Sequence, residues 1–264
     1  MPSQHLAAKL SALLIGCALL PLSSFAQLTF QPSQKPIPAG YTVVAHGDFN
    51  NDGIEDLVAV DEYINNGPEY LFLSNGGGTY RAPIMLPNSI RGLGVQAIGD
   101  FNRDGKLDIA TVVSGSTDLT VYLGKGDGTF QAPRSTPGTV YVPNSLLAVD
   151  LNHDGKTDLV EFILSYTNGT IIPARLQLLI SNGDGTFSKG QTIVAATGSL
   201  ANQVAQYALT GDFDGDGKPD IALLYGYIQP SQTQPTTVQV FYGDGAGHLG
   251  SPSLTTDSNG YSDS

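Results

Sequence analysis

The sequence predicts an all-β fold: a β-propeller of four-stranded antiparallel blades, with four blades visible, hence a small or incomplete propeller. Three observations predict it. An acidic loop recurs four times, as GDFNNDGIEDLVAV (47–60), GDFNRDGKLDIATV (99–112), VDLNHDGKTDLVEF (149–162) and GDFDGDGKPDIALL (211–224). A glycine-rich turn follows each loop, in LFLSNGGGTY (71–80), VYLGKGDGTF (121–130), LLISNGDGTF (178–187) and VFYGDGAGHL (240–249). The copies are spaced by roughly fifty residues, which makes each repeat one supersecondary unit that buries its apolar faces by stacking on its neighbours.

Within a repeat, four short strands follow in order. An apolar stretch leads into the loop (Tyr41 to Ala45, Gly94 to Ile98, Leu146 to Val149, Ala205 to Thr210), and a β-branched run leaves it (Asp56 to Val60, Asp108 to Val113). A third strand (Leu71 to Leu73, Thr120 to Leu123) runs into the glycine-rich turn, which closes a hairpin with a fourth. Arg81-Ala82-Pro83 and Gln131-Ala132-Pro133 fall in that fourth strand; proline in a sheet belongs at an edge, so this strand is outermost. The blades span about 41–90, 91–140, 141–196 and 203–256 of a domain covering 27–264. No amphipathic helical period stands out in that domain. Leu28 to Pro32 resembles the start of an outer strand although no repeat precedes it, and His248 to Leu254 supplies one for repeat four. Five outer strands for four loops leave open whether the blades close as a ring or belong to a larger or oligomeric propeller completed by self-association.

Residues 1–26 read as a secretory signal peptide. His5 and Lys9 precede the apolar run Leu10 to Leu20, and small residues stand at Ser24 and Ala26, before a cut after Ala26. The run is too short for a transmembrane helix, and no later stretch is long enough, so no membrane insertion is expected. Leu14-Ile15-Gly16-Cys17 also resembles a lipobox that would make Cys17 a lipid-bearing N-terminus; the apolar sequence continuing past Cys17 favours the cut at Ala26. The expected location is secreted, periplasmic or cell-surface. Cys17 is the only cysteine, so the exported domain has no disulfide and needs another staple or a large core. The formal charge is −12 for the whole chain, and loss of Lys9 makes it more negative still. Acidity without a basic cluster excludes nucleic acid and anionic membrane surfaces as partners.

The placement of the acids points instead to a cation. Asp48, Asn50, Asp52 and Asp56 occupy positions 1, 3, 5 and 9 of the first loop; Asp100, Asn102, Asp104 and Asp108 do so in the second. Asp150, Asn152, Asp154 and Asp158 repeat the pattern, as do Asp212, Asp214, Asp216 and Asp220. Oxygens at positions 1, 3 and 5 of a tightly curved loop converge on one point, and position 7 (Ile54, Lys106, Lys156, Lys218) offers its carbonyl. Glycine at position 6 (Gly53, Gly105, Gly155, Gly217) permits the sharp turn. Ca2+ suits such a set, about four ions in all, because it accepts six to eight oxygens in flexible geometry, whereas Mg2+ demands a strict octahedron. An EF-hand or dockerin loop would place an acid at position 12 and run into a helix; here the acid stands at position 9 and a strand follows.

GDFNRDGKLDIATV and GDFDGDGKPDIALL, with the trailing LGKGDGTF, resemble FG-GAP repeats of the VCBS type, the blade units of bacterial exported proteins and of integrin α-chain propellers. The resemblance covers nearly all of residues 28–256 and implies a β-propeller with Ca2+ in the loop joining the first two strands of each blade. It also implies that the linkers between strands two and three lie on the opposite face. Integrin-like propellers have seven blades, against four here. Repeat three departs in Val149 and Leu151, where the others have Gly and Phe, which is expected to alter packing more than metal binding; Pro219 stands at position 8 of loop four.

Four similar sites argue that the calcium is structural. No serine elbow, HExxH helix or phosphate-cradling loop occurs, so no catalytic residue and no enzyme activity is expected. The variable linkers, about Asp61 to Glu69, Ser114 to Asp118, Leu164 to Arg175 and Gly226 to Thr237, are the expected binding region, with Tyr166, Tyr227, Gln229 and Gln232 on the longer two. The reading is an extracellular binding or adhesion module for a protein or glycan; the alternative is an exported hydrolase or lyase on a propeller scaffold. The absence of tryptophan weakens a sugar-stacking lectin, and no Arg-Gly-Asp occurs.

Overall fold

The computed structural model describes residues 40–61, 68–86, 95–112, 117–138, 143–167, 170–195, 203–227 and 237–256. The expected signal peptide, Cys17, the strand at Leu28 to Pro32, Gln229 and Gln232 lie outside the described residues.

Four antiparallel sheets form the blades of a β-propeller, and in each the strands lie side by side in chain order. The inner strands are Tyr41–Gly47, Val95–Gly99, Ser145–Val149 and Gln203–Gly211. The second strands, Asp56–Asp61, Asp108–Val112, Asp158–Thr167 and Asp220–Tyr227, each begin at a position-9 aspartate. Third strands run over Glu69–Phe72, Leu119–Tyr122, Thr170–Ser181 and Thr237–Phe241. Outer strands follow at Ile84–Met85, Arg134–Thr136, Phe187–Val194 and Ser253–Thr256.

Two expectations about boundaries change. Pro83 and Pro133 stand just before the outer strands: Arg81 and Gln131 donate their backbone N–H groups to Leu73 and Leu123 at 2.8 Å, and the ladder resumes only past the proline, which has no N–H to give. The linker from Leu164 to Arg175 is not a loop for most of its length. Ser165, Tyr166 and Thr167 pair with Ile172, Ile171 and Thr170, because a run of β-branched residues extends both strands into one long hairpin.

Among the described residues the core is three seams, one between each pair of successive blades. Phe49, Val58, Leu71 and Leu73 of blade one meet Ile109 and Tyr122 of blade two. Phe101, Val112 and Val121 meet Leu159, Leu179 and Phe187 of blade three. Leu151, Val160, Phe162 and Leu178 meet Ile221, Leu223, Phe241 and Leu249 of blade four. At each seam the residue after the first loop aspartate is covered by the hairpin of the next blade. The Phe49 and Phe130 rings lie edge to face at 6.1 Å, and Phe101 and Phe187 at 5.6 Å. The carbonyls of Phe49 and Leu151 accept the amides of Gly128 and Gly247 at 3.0 and 3.2 Å, and that of Phe101 accepts the Ser181 hydroxyl at 2.6 Å. The unusual Val149 is explained here. A Cβ at Gly47 would lie 2.5 Å from Leu107, and one at Gly99 would lie 2.7 Å from Thr157, both at position 8 of the next loop. Pro219 is the position-8 residue facing Val149 across a cleft, which leaves room for the larger side chain.

One buried acid in the first seam gives the fold a pH dependence. Glu69 is 1% exposed and accepts a hydrogen bond from Gln96 Nε2 of blade two. Burial pushes its carboxyl from 4.5 up to about 7. Between those values the folded Glu69 holds a proton that it has released in the unfolded chain, so its contribution to stability is full below about 4.5 and is lost as the pH rises through about 7. Glu69→Gln removes the ionisation and is expected to stabilise the protein above that window by on the order of 2–3 kcal/mol, with little change below it. Urea unfolding on both sides of the window checks this, and an equal effect at both pH values would contradict it.

Candidate metal centre

Each acidic loop is a chain of side chain to backbone hydrogen bonds that the aspartate spacing dictates. The position-1 carboxylate accepts the N–H of the position-6 glycine, at 2.8, 2.8, 2.9 and 3.0 Å in loops one to four. The position-3 oxygen accepts the position-5 N–H at 3.0, 3.1, 3.0 and 3.1 Å. Position 5 in turn accepts the position-7 N–H at 3.0, 3.1, 2.8 and 2.9 Å. Asx-type turns of this kind curl the backbone and point the side-chain oxygens inward.

Loop four brings Asp212, Asp214 and Asp216 together: one oxygen from each lies within 4.8 Å of the others, and all three residues are exposed. Three carboxylates that close repel one another, and a hard divalent cation is the partner whose charge and oxygen preference match the set. Loops one to three replace the middle aspartate by Asn50, Asn102 and Asn152 on the same hydrogen-bond frame.

The position-9 residues sit differently. Asp56, Asp108, Asp158 and Asp220 are completely buried. Each accepts one backbone N–H from the residue after position 1 (Phe49, Phe101, Leu151, Phe213) and one from the end of the third strand (Ser74, Gly124, Ser181, Gly243), all at 2.8–3.0 Å. These carboxylates therefore pin the loop to the sheet. Burial raises the Asp56, Asp108 and Asp158 carboxyls, Asp108 to about 6, against the lowering effect of those amides.

Two further features carry no spacing signal in the sequence. Position 4 adopts a left-handed backbone in every loop, with φ of 55° at Asn51, 59° at Arg103, 56° at His153 and 81° at Gly215. Such a conformation is uncommon outside glycine, though asparagine and histidine adopt it more readily than most, and Arg103 gives no sign of it. The position-7 lysines, expected as carbonyl donors, also fold their ammonium groups onto position 5: Lys106 to Asp104 at 3.3 Å, Lys156 to Asp154 at 2.5 Å and Lys218 to Asp216 at 2.7 Å. The Lys218 hydrogen bond holds Asp216 below the ordinary carboxylate value. Loop one has Ile54 instead, and Arg81 lies 3.8 Å from Asp52.

The repeated loop and its blade decide the family. The FG-GAP-like repeat pattern matches residues 48–111, 100–161 and 162–223. The chain belongs to the FG-GAP-like repeat family. No protein of curated description matches this FG-GAP repeat chain. Solved structures similar to it include an Agrocybe aegerita lectin that recognises non-reducing terminal N-acetylglucosamine, at 16% identity and a TM-score of 0.41, covering 83% of this chain and 66% of the lectin. The V. cholerae biofilm matrix protein Bap1 is similar at 18% identity and a TM-score of 0.39, covering 84% of this chain and 40% of Bap1. The FG-GAP repeat chain thus spans less than two thirds of either protein.

Proposed function

We propose that this FG-GAP repeat chain is a secreted or cell-surface calcium-binding β-propeller, an extracellular binding or adhesion module with one structural Ca2+ in each blade. The observation that carries the reading is the convergence of Asp212, Asp214 and Asp216 within 4.8 Å at an exposed loop. Side chains at positions 1, 3 and 5 of each loop, with the position-7 carbonyl, would hold the ion; the position-9 carboxylates support the loop from behind, and their oxygens keep lone pairs for the ion as well. Bound calcium supplies charge neutralisation and loop rigidity. Its repetition in every blade favours architecture over chemistry. The partner is a protein or glycan, engaged by the linker face, where the second and third strands of blade three, Asp158–Thr167 and Thr170–Ser181, run longer than those of blades one and two.

Calcium titration calorimetry tests the reading. The expected stoichiometry is four, falling to three in the Asp214→Asn, Asp216→Asn double variant, with magnesium a poor substitute. Absence of a calcium-dependent heat would overturn it.

A further inference from the structure

The three seams share one plan, and among the described residues the same face of blade four meets no following hairpin. Phe49, Phe101 and Leu151 are 2%, 0% and 2% exposed, each beneath the next blade's hairpin, whereas Phe213 at the same place in blade four is 47% exposed. Its neighbours on that face follow suit. Leu209 is 50% exposed and Tyr207 is 64% exposed. Val240 is half-buried, although its counterparts Leu71, Val121 and Leu178 are fully buried. The three atoms nearest a Cβ at Gly211 all belong to the ring of its own Phe213, whereas a Cβ at Gly47 or Gly99 would meet Leu107 or Thr157 of the following blade.

Blade one presents the opposite half of the same seam. Tyr80 stands where Phe130, Phe187 and Leu249 stand in the later hairpins, the side chains that cover the preceding blade. Tyr80 joins Phe72, Tyr41 and Tyr70 in an edge-to-face cluster with ring centroids 5.2–6.3 Å apart. Val43, opposite Ala59, takes the register place of Gln96, Leu146 and Ala208, which face the preceding blade, and it is 46% exposed. Terminal repeats of a stacked array ordinarily carry a polar outer face for solubility. Here the outward faces of the first and last described blades are apolar, and each is complementary to the other rather than to itself.

We propose that a second copy of this chain docks on blade four through its own blade one, head to tail, with Tyr80 of one copy covering Phe213 of the other. The occupant follows from continuity with the three internal seams, which bury this face each time with a blade of this sequence type. Because the two faces differ, the contact is heterologous: it closes when two or more copies complete a ring and grows as a chain if they do not. This goes beyond the calcium reading and does not depend on it.

Sedimentation velocity over a concentration series tests the proposal, with calcium held constant. The protein is expected to self-associate, and Phe213→Asp or Val43→Asp, both at exposed positions, each to weaken association by at least about thirtyfold. Mixing the two variants leaves one intact head and one intact tail, so a one-to-one heterodimer is expected and larger species are not. Phe213→Trp provides a reporter in a chain without tryptophan. Its emission is expected to shift to the blue as concentration rises. A protein that stays monomeric throughout, with red emission or with blue emission independent of concentration because its own chain covers the face, overturns the proposal. So does association that Phe213→Asp leaves unchanged.

Discussion

Removing calcium is expected to lower the melting temperature of this propeller by roughly 20 °C or more, the largest effect of any change of conditions. A site occupied at free calcium 100-fold above Kd adds about 2.7 kcal/mol to the folded state, and four such sites act together on one cooperative stack of blades. For a chain of this size each kcal/mol moves the midpoint by about 2–4 °C. Nothing covalent offsets the loss, since the only cysteine is Cys17. The chelated state also leaves Asp212, Asp214 and Asp216 facing one another within 4.8 Å, with the Lys218 ammonium against Asp216. Calorimetry with EGTA, then with calcium or magnesium restored, measures the effect. A midpoint indifferent to EGTA would sink the calcium reading.

The loops were legible because their oxygens are fixed by sequence spacing alone: positions 1, 3, 5 and 6 do their work within six residues of backbone. The strands leaving them were legible for the same reason, their β-branched runs beginning at Asp56, Asp108, Asp158 and Asp220. Features set by contact between repeats were not. GDF reads identically at 47–49, 99–101 and 211–213, yet Phe49 and Phe101 are buried and Phe213 is half exposed, because exposure depends on which blade follows in space. The left-handed position 4 was hidden by residues as unlike as Asn51, Arg103 and His153. The long hairpin at Ser165 to Ile172 was hidden because polar and apolar residues mix there without strict alternation, and strand extension won through pairing with a partner only a few residues away. The inward position of the position-9 aspartates was equally invisible. Their partner amides come half from seven residues back and half from the end of the third strand, 16 to 23 residues on.

Those aspartates carry the second large prediction. Asp108→Ala is expected to destabilise the protein by about 3–5 kcal/mol even in EGTA, because it strands two buried amides rather than a metal. Both oxygens are engaged, by Phe101 N–H at 2.9 Å and Gly124 N–H at 2.8 Å, in a residue with no solvent exposure. Water has little room to replace them: a Cβ at Gly124 would already lie 2.1 Å from the Leu107 carbonyl oxygen. Asp104→Ala is the matched control. Asp104 sits at position 5, is exposed, and makes its bonds within the loop, so in EGTA its loss is expected to cost about 1 kcal/mol or less, while in calcium it removes a ligand and costs more. Unfolding in EGTA therefore tells the two variants apart. Calcium widens the deficit of Asp104→Ala, whereas the deficit of Asp108→Ala is already large without the ion. Urea unfolding of both variants in EGTA decides the matter: if Asp108→Ala proves no worse there than Asp104→Ala, the position-9 carboxylate is a ligand first and a pin second, and the blade is held at that corner by the ion rather than by its own backbone.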